Sequence, residues 1–242
     1  MSFIGIVCVG LAMAGGQVAR CDFDATRLRT GSYSFRTLVD GKEVGRSRIQ
    51  IKKSAQSGNY VFSNVVIGSF SQSWEAVVSP TFTPVLAKLR FGQASSARSV
   101  FELAYQPSRV TGFMIAQKEP FKRREVDEAI ADDTVDQRID WAAVMAFKEY
   151  VEGHEFKFHV YDAGTGNSLV SVLIGKSEKT AVPAGSFETV RVSYRIDKRS
   201  RAETYEVFVT KQAPRFLVKE KFPNGSVTEL VELSGPASGM PD

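Results

Sequence analysis

Two histidines, His154 and His159, and two cysteines, Cys8 and Cys21, are all that this 242-residue chain offers for metal or thiol chemistry. The histidines are five apart in a stretch that alternates like a strand. An odd separation sends them to opposite faces, so they cannot form an adjacent metal pair. Asp132-Asp133 lacks the alternating oxygen donors of a calcium loop and suits the positive end of a helix. Gly164-Thr165-Gly166 resembles a fragment of a phosphate loop, but no helix or Lys-Ser pair follows, so it is expected to be a turn. Gly31-Ser32, Gly68-Ser69 and Gly185-Ser186 lack the second glycine of a nucleophile elbow. Asp and Glu are abundant, yet no spacing selects a pair for glycoside hydrolysis, which is recognised by separation in space. The expectation is therefore no catalytic, metal-binding or cofactor-binding residue and no cofactor. The enzyme question leans to no, and a hydrolase with an unassigned acidic site stays as an alternative.

Charge excludes a further class. The formal net charge is +4, with Lys and Arg scattered among Asp and Glu. The densest basic run, Lys122-Arg123-Arg124, is followed at once by Glu125, Asp127 and Glu128. A nucleic-acid binder gathers its cations on one face, so no nucleic-acid partner is expected. The apolar content is more informative. Seventeen phenylalanines are present, and Phe35, Phe62, Phe91, Phe101, Phe156, Phe158, Phe208 and Phe216 fall on strand faces. Taken singly, each is core packing. Together they could line an incompletely filled barrel able to hold an acyl chain.

The elements that would position these residues begin after residue 14. From Phe3 to Ala14 the chain is apolar or glycine and carries no charge. That run is short of the roughly 20 residues of a membrane-spanning helix, so no integral membrane protein is expected. It has the length of a signal-peptide core, and Ala12-Met13-Ala14 supplies a small-x-small cleavage pattern. Residues 1–14 are thus expected to be a signal peptide and the protein periplasmic, with the cytoplasm as the alternative if the segment is retained. Arg20, standing where a lipobox needs a small residue, argues against lipidation of Cys21. Cleavage after Ala14 would leave one cysteine and no internal disulfide.

Beyond a lead-in at 15–30, period-two alternation dominates. Tyr33, Phe35 and Thr37 alternate with Ser34, Arg36 and Leu38, and Asp40-Gly41 turns the chain into a return strand bearing Ile49 and Ile51. NYVFSNVVI, SFSQSWEAVVS, LAKLRF, SVFELAYQ and RVTGFMIAQ extend the pattern as a meander. DDTVDQRIDWAAVMAFKEY breaks it: Val135, Ile139, Ala142, Ala143 and Ala146 recur at helical spacing, predicting one helix near 136–150. HEFKFHVYD, SLVSVLIG, FETVRVSYRI, ETYEVFVT, RFLVKEKF and SVTELVEL are further strands, and 235–242 should be a mobile tail. A flat sheet of about twelve strands would leave long edges. The expected fold is all-β: a single β-rich domain over 31–234 forming a large, strongly coiled antiparallel sheet or open barrel with one short central helix. Two β-lobes bridged by the helix are the alternative.

Three stretches carry a family likeness: VDGKEVGRSRIQI, DDTVDQRIDWAAVMAF, and the block from LIGKSEKTAVPAGSFETVRVSYRI to NGSVTELVEL. Their marks are Asp40, Gly41, Val44 and Gly45; Asp136; Val182, Pro183, Ala184, Gly185, Phe187, Thr189 and Val192; and Pro214, Val218, Gly225 and Ser226. In these the chain resembles a family of uncharacterised bacterial envelope proteins, domain of unknown function 3108. It departs from that pattern at Val207-Phe208-Val209, where a W-V-S-like piece is usual. The resemblance implies a signal peptide, an envelope location and a curved sheet, but no agreed activity. By analogy with curved-sheet envelope proteins that handle lipid, it implies a lipid-like or amphipathic ligand. An envelope protein partner without a small ligand is the alternative.

Overall fold

The computed structural model describes residues 19–20, 22–68, 71–92, 98–116, 120–197 and 202–235. The expected signal segment 1–14, both cysteines and the tail beyond Gly235 lie outside the described residues.

The molecule is built on one sixteen-stranded sheet. A short strand β1 (Ala19–Arg20) precedes a meander of β2 (Gly31–Val39), β3 (Lys42–Lys53), β4 (Tyr60–Gly68), β5 (Gln72–Val78), β6 (Pro84–Phe91), β7 (Arg98–Gln106), β8 (Arg109–Ile115) and β9 (Arg123–Ala129). After a three-residue strand β10 (Thr134–Asp136), a helical turn α1 (Asp140–Ala143) runs into a 3₁₀ turn, Val144–Ala146. A second meander follows: β11 (Glu155–Asp162), β12 (Gly166–Val182), β13 (Gly185–Asp197), β14 (Ala202–Thr210), β15 (Leu217–Lys221) and β16 (Val227–Ser234). The last strand pairs with β2, Leu230 opposite Phe35, and this seam joins the two meanders. All neighbours are antiparallel except β1 and β10, which run parallel to β11.

The all-β, strongly coiled open barrel expected from the alternation is what forms. Its ladder does not close: β9 ends one side, and β11, flanked by β1 and β10, ends the other. Side chains bridge the gap. Arg124 donates to the Ala163 carbonyl at 2.6 Å, and Asn167 donates to the Ala129 carbonyl at 3.0 Å. Coiling follows from the inward faces, where Phe35, Phe62, Ala76, Ala87, Leu103, Val110, Val172, Val192 and Val207 are all buried. A sheet with one apolar face this long buries it by wrapping on itself.

The helical segment fills the hollow. Ala142, Ala143, Val144, Met145 and Ala146 are fully enclosed, and small side chains at three of these five positions let a helical turn sit inside a barrel. Here the structure corrects the expected helix of about three turns. Thr134–Asp136 are extended and pair with β11, while Phe147 leaves the 3₁₀ turn with ψ of 137° to bridge Phe23. Strand pairing therefore takes the residues that would have begun the helix. Asp132 and Asp133 start no helix either: Ser108 donates to Asp132 at 3.1 Å, and Asp133 lies 2.7 Å from the His159 ring. Arg215, 4% exposed, clasps the plug by donating to the carbonyls of Met145 and Phe147, with its guanidinium over the Tyr150 ring.

Candidate functional site

Beside the plug, the barrel is hollow in two adjoining cavities, both open to solvent on one side. The first holds about 360 Å³ between Trp141 and the wall of β2 to β5, where Phe35, Ile49, Val66 and Trp74 supply apolar surface. Thr37, Ser47, Asn64 and Thr228 make the rest of that wall polar, with Arg46 and Arg138 beside them. The second holds about 640 Å³ over β14 and β15 and is faced by Trp141, Tyr205 and Phe222. Gln137, Trp141 and Glu220 line both. The plug therefore does more than fill space: its first turn divides the remaining hollow and presents Trp141 to each half.

Each side chain is placed by ordinary local rules. Trp141 is held by its indole N–H, which donates to the Arg138 carbonyl at 2.9 Å, and by an edge contact with Phe62. Arg138 pairs with Asp162, which fixes the polypeptide just before α1. Asp136 accepts from the Tyr105 hydroxyl at 2.5 Å and from the Arg138 amide at 2.8 Å, tying that stretch to β7. Asn64 lies opposite Trp74 in the ladder, and its buried Oδ1 has no hydrogen-bond partner. Glu220 lies opposite Thr228 and Val207 on the inward face, which a bulge at Val218 makes it share with Leu217, opposite Val209.

Asp140 and Glu220 make the electrostatics of the site unusual. Burial, opposed by the Trp141 amide bond at 2.7 Å and by Arg138, pushes the Asp140 carboxyl up to about 7. Burial, reinforced by the Asp140 charge, pushes Glu220 up to about 8. No cation among the described residues pairs with Glu220. Tyr194, fully buried and stacked on Tyr205 at 5.0 Å, approaches Asp140, and its hydroxyl completes no hydrogen bond of ordinary geometry. Two desolvated carboxyls thus face the second cavity with little countercharge.

The positions singled out in the sequence fall elsewhere. His159 is outward beside Asp133, and His154 lies near Phe156. Gly164-Thr165-Gly166 is the expected turn, its amides capped by Asp162 at 2.9 and 3.0 Å. Arg123, Arg124 and Arg109 are taken up by Glu125, Glu128 and Asp127. Among the described residues, no group of three or more His, Cys, Asp or Glu could hold a metal ion. No helix among them is long and apolar enough to cross a membrane. Of the strand-face phenylalanines, only Phe35 reaches the first cavity; Phe62, Phe101, Phe158, Phe208 and Phe216 pack in the interior or between elements. Asp140 and Glu220 were not picked out by spacing. Parity hides Glu220, because the bulge at Val218 puts Leu217 and Glu220, three apart, on one face.

Compared with known proteins, residues 22–231 match the model of a family described as Protein of unknown function (DUF3108). The chain belongs to that family. No curated protein matches it. Among solved structures it is similar to a β-barrel-like protein of domain of unknown function DUF1849 from Brucella abortus, with 12% identity and a TM-score of 0.56 over 86% of this chain and 98% of that one. A protein described as exported, with a YmcC-like fold, from Bacteroides fragilis shows 11% identity and a TM-score of 0.39 over 88% and 100% of the two chains. A protein described as a lipoprotein, from Parabacteroides distasonis, shows 13% and 0.36 over 89% and 100%. The Brucella abortus structure establishes that this member of the DUF3108 family shares a β-barrel-like fold.

Proposed function

We propose that this DUF3108 protein is a non-catalytic binding protein of the bacterial envelope, exported by way of residues 1–14, whose open barrel holds one lipid-like or amphipathic molecule. The observation that carries the reading is the divided hollow beside the plug, each half lined by both apolar rings and hydrogen-bonding groups. A pocket of several hundred Å³ with few convergent polar groups is the usual form of a small-ligand site. Affinity would come mainly from apolar area, at about 25 cal/mol per Å² before ordering costs.

The acid pair also gives the hydrolase alternative a definite location. It supports that reading poorly. A glycosidase needs one carboxyl protonated and one ionised, set apart by different surroundings, whereas burial raises both Asp140 and Glu220.

The chain supplies its own reporter. Its two tryptophans, Trp74 and Trp141, both line the first cavity. Gentle purification from the native bacterium, organic extraction and mass spectrometry should recover a bound amphiphile. Adding amphiphiles to the stripped protein should shift tryptophan fluorescence saturably. An empty extract together with a flat titration against fatty acids, phospholipids and glycolipids would leave the envelope-partner alternative in the lead. Amino-terminal mass spectrometry of the same preparation tests export, which fails if Met1 is retained in the cytoplasm.

A further inference from the structure

We infer that the second cavity receives the cationic end of its ligand, an ammonium group carried on an apolar body. The inference deepens the binding reading and rests on it. Among the described residues, the wall of that cavity contains the carboxyls of Asp140 and Glu220 and the rings of Trp141, Tyr205 and Phe222, and neither Lys nor Arg. Aromatic faces carry partial negative charge and attract ammonium groups, most strongly where water is excluded. Carboxylates beside such faces add a full charge. A carboxylate or phosphate end would find only acids and aromatic faces at the same place, with no cation among the described residues to receive it.

The carboxyls show what is missing. Asp140 is 6% exposed, and Glu220 faces it from β15. The charged and titratable groups around Asp140 are Arg138, Asp136, Tyr194, Tyr205 and Glu220, and Arg138 is already committed to Asp162. Among the described residues, Asp140 is the charged group that acts on Glu220. Tyr194, fully buried, points a hydroxyl without a completed hydrogen bond at the Asp140 carboxyl. Buried acids are normally paired with a cation or held neutral. Burial keeps the proton on Glu220 near neutral pH, so an ammonium ion arriving with its ligand would supply the missing countercharge, and Glu220 would release its proton to receive it.

Three amphiphiles with the same tail test this on the full chain: decyltrimethylammonium, decyl glucoside and decanoate, each titrated below micelle formation with tryptophan fluorescence as readout. The ammonium compound should bind at least about tenfold more tightly than either of the others. Calorimetry at pH 7.5 in buffers of different ionisation enthalpy should show proton release on binding. E220Q should weaken the ammonium compound about tenfold and abolish most of that release, with decyl glucoside little changed. D140N is the second variant, and circular dichroism checks that both fold. Equal or tighter binding of decanoate or decyl glucoside, or E220Q binding the ammonium compound like the natural chain, overturns the inference while leaving the amphiphile reading intact. Failure of all three to perturb the tryptophans overturns both.

Discussion

Glu220 shows how one inward side chain sets a pH dependence. Its carboxyl releases a proton near the ordinary value of 4.5 in the unfolded chain but only at about 8 in the fold. Below 4.5 both states hold the proton, so its burial carries no charge penalty. Between these values the fold retains a proton that the unfolded chain has lost, so stability falls as pH rises, and above about 8 that loss is complete. Asp140 acts in the same direction between 3.8 and about 7. Glu220 is only partly buried, which moderates the size of the effect and leaves its sign. E220Q should therefore melt higher than the natural chain at pH 8.5 and alike at pH 4.5, by about 2–4 °C for each kcal/mol relieved. A variant that melts lower at pH 8.5 would mean that a cation already compensates Glu220. Aromatic and small residues follow simpler rules. Trp141 is amphipathic, and its N–H finds the Arg138 carbonyl while its ring faces two cavities.

Strands and turns explain which parts of the chain were legible. The first hairpin, the meander from β2 to β8 and the series from β11 to β16 all show apolar residues at every second position. β9 does not: Val126 is its one buried residue, and its other residues except Ala129 are charged, as suits an edge strand. The cluster beginning at Arg123 therefore reads as surface charge. β10 is invisible for another reason, because its three residues also fit a helical period and only β11 decides between the two. Two glycines give opposite tests of the sheet. Gly185 opens β13 with φ of +132°, and an added Cβ would meet only the Phe187 ring, at 3.7 Å. G185V should cost about 1–3 kcal/mol through backbone strain alone. Gly112 lies opposite Leu103 with φ of +142°, and a Cβ there would stand 2.0 Å from the Glu102 carbonyl oxygen. G112A, although the smaller change, should be the more damaging of the two in thermal melts. Equal melting temperatures would show that β7 and β8 can part without cost.

As a whole molecule, the protein is a coiled sheet with two ends that meet without a ladder. Among the described residues β9 has no strand neighbour on one side, while β13 lies between β12 and β14 with Val192, Tyr194 and Ile196 fully enclosed. Amide hydrogen exchange should accordingly be slowest in β13 and fastest in β9, since exposed edges open locally at little cost. Equal protection in β9 would mean that another strand covers that edge in solution. The all-β class, the coiling and the first meander were determined by the sequence alone, because alternation and turn residues are local signals and a long one-faced sheet has few ways to bury itself. Tertiary structure alone decided that 134–136 extend and 140–146 plug the barrel, that most phenylalanines pack away from the cavities, and that Asp140 and Glu220 share one site. Those outcomes depend on contacts between residues 80 apart in sequence, such as the approach of β15 to the plug, and no periodicity within either segment records them.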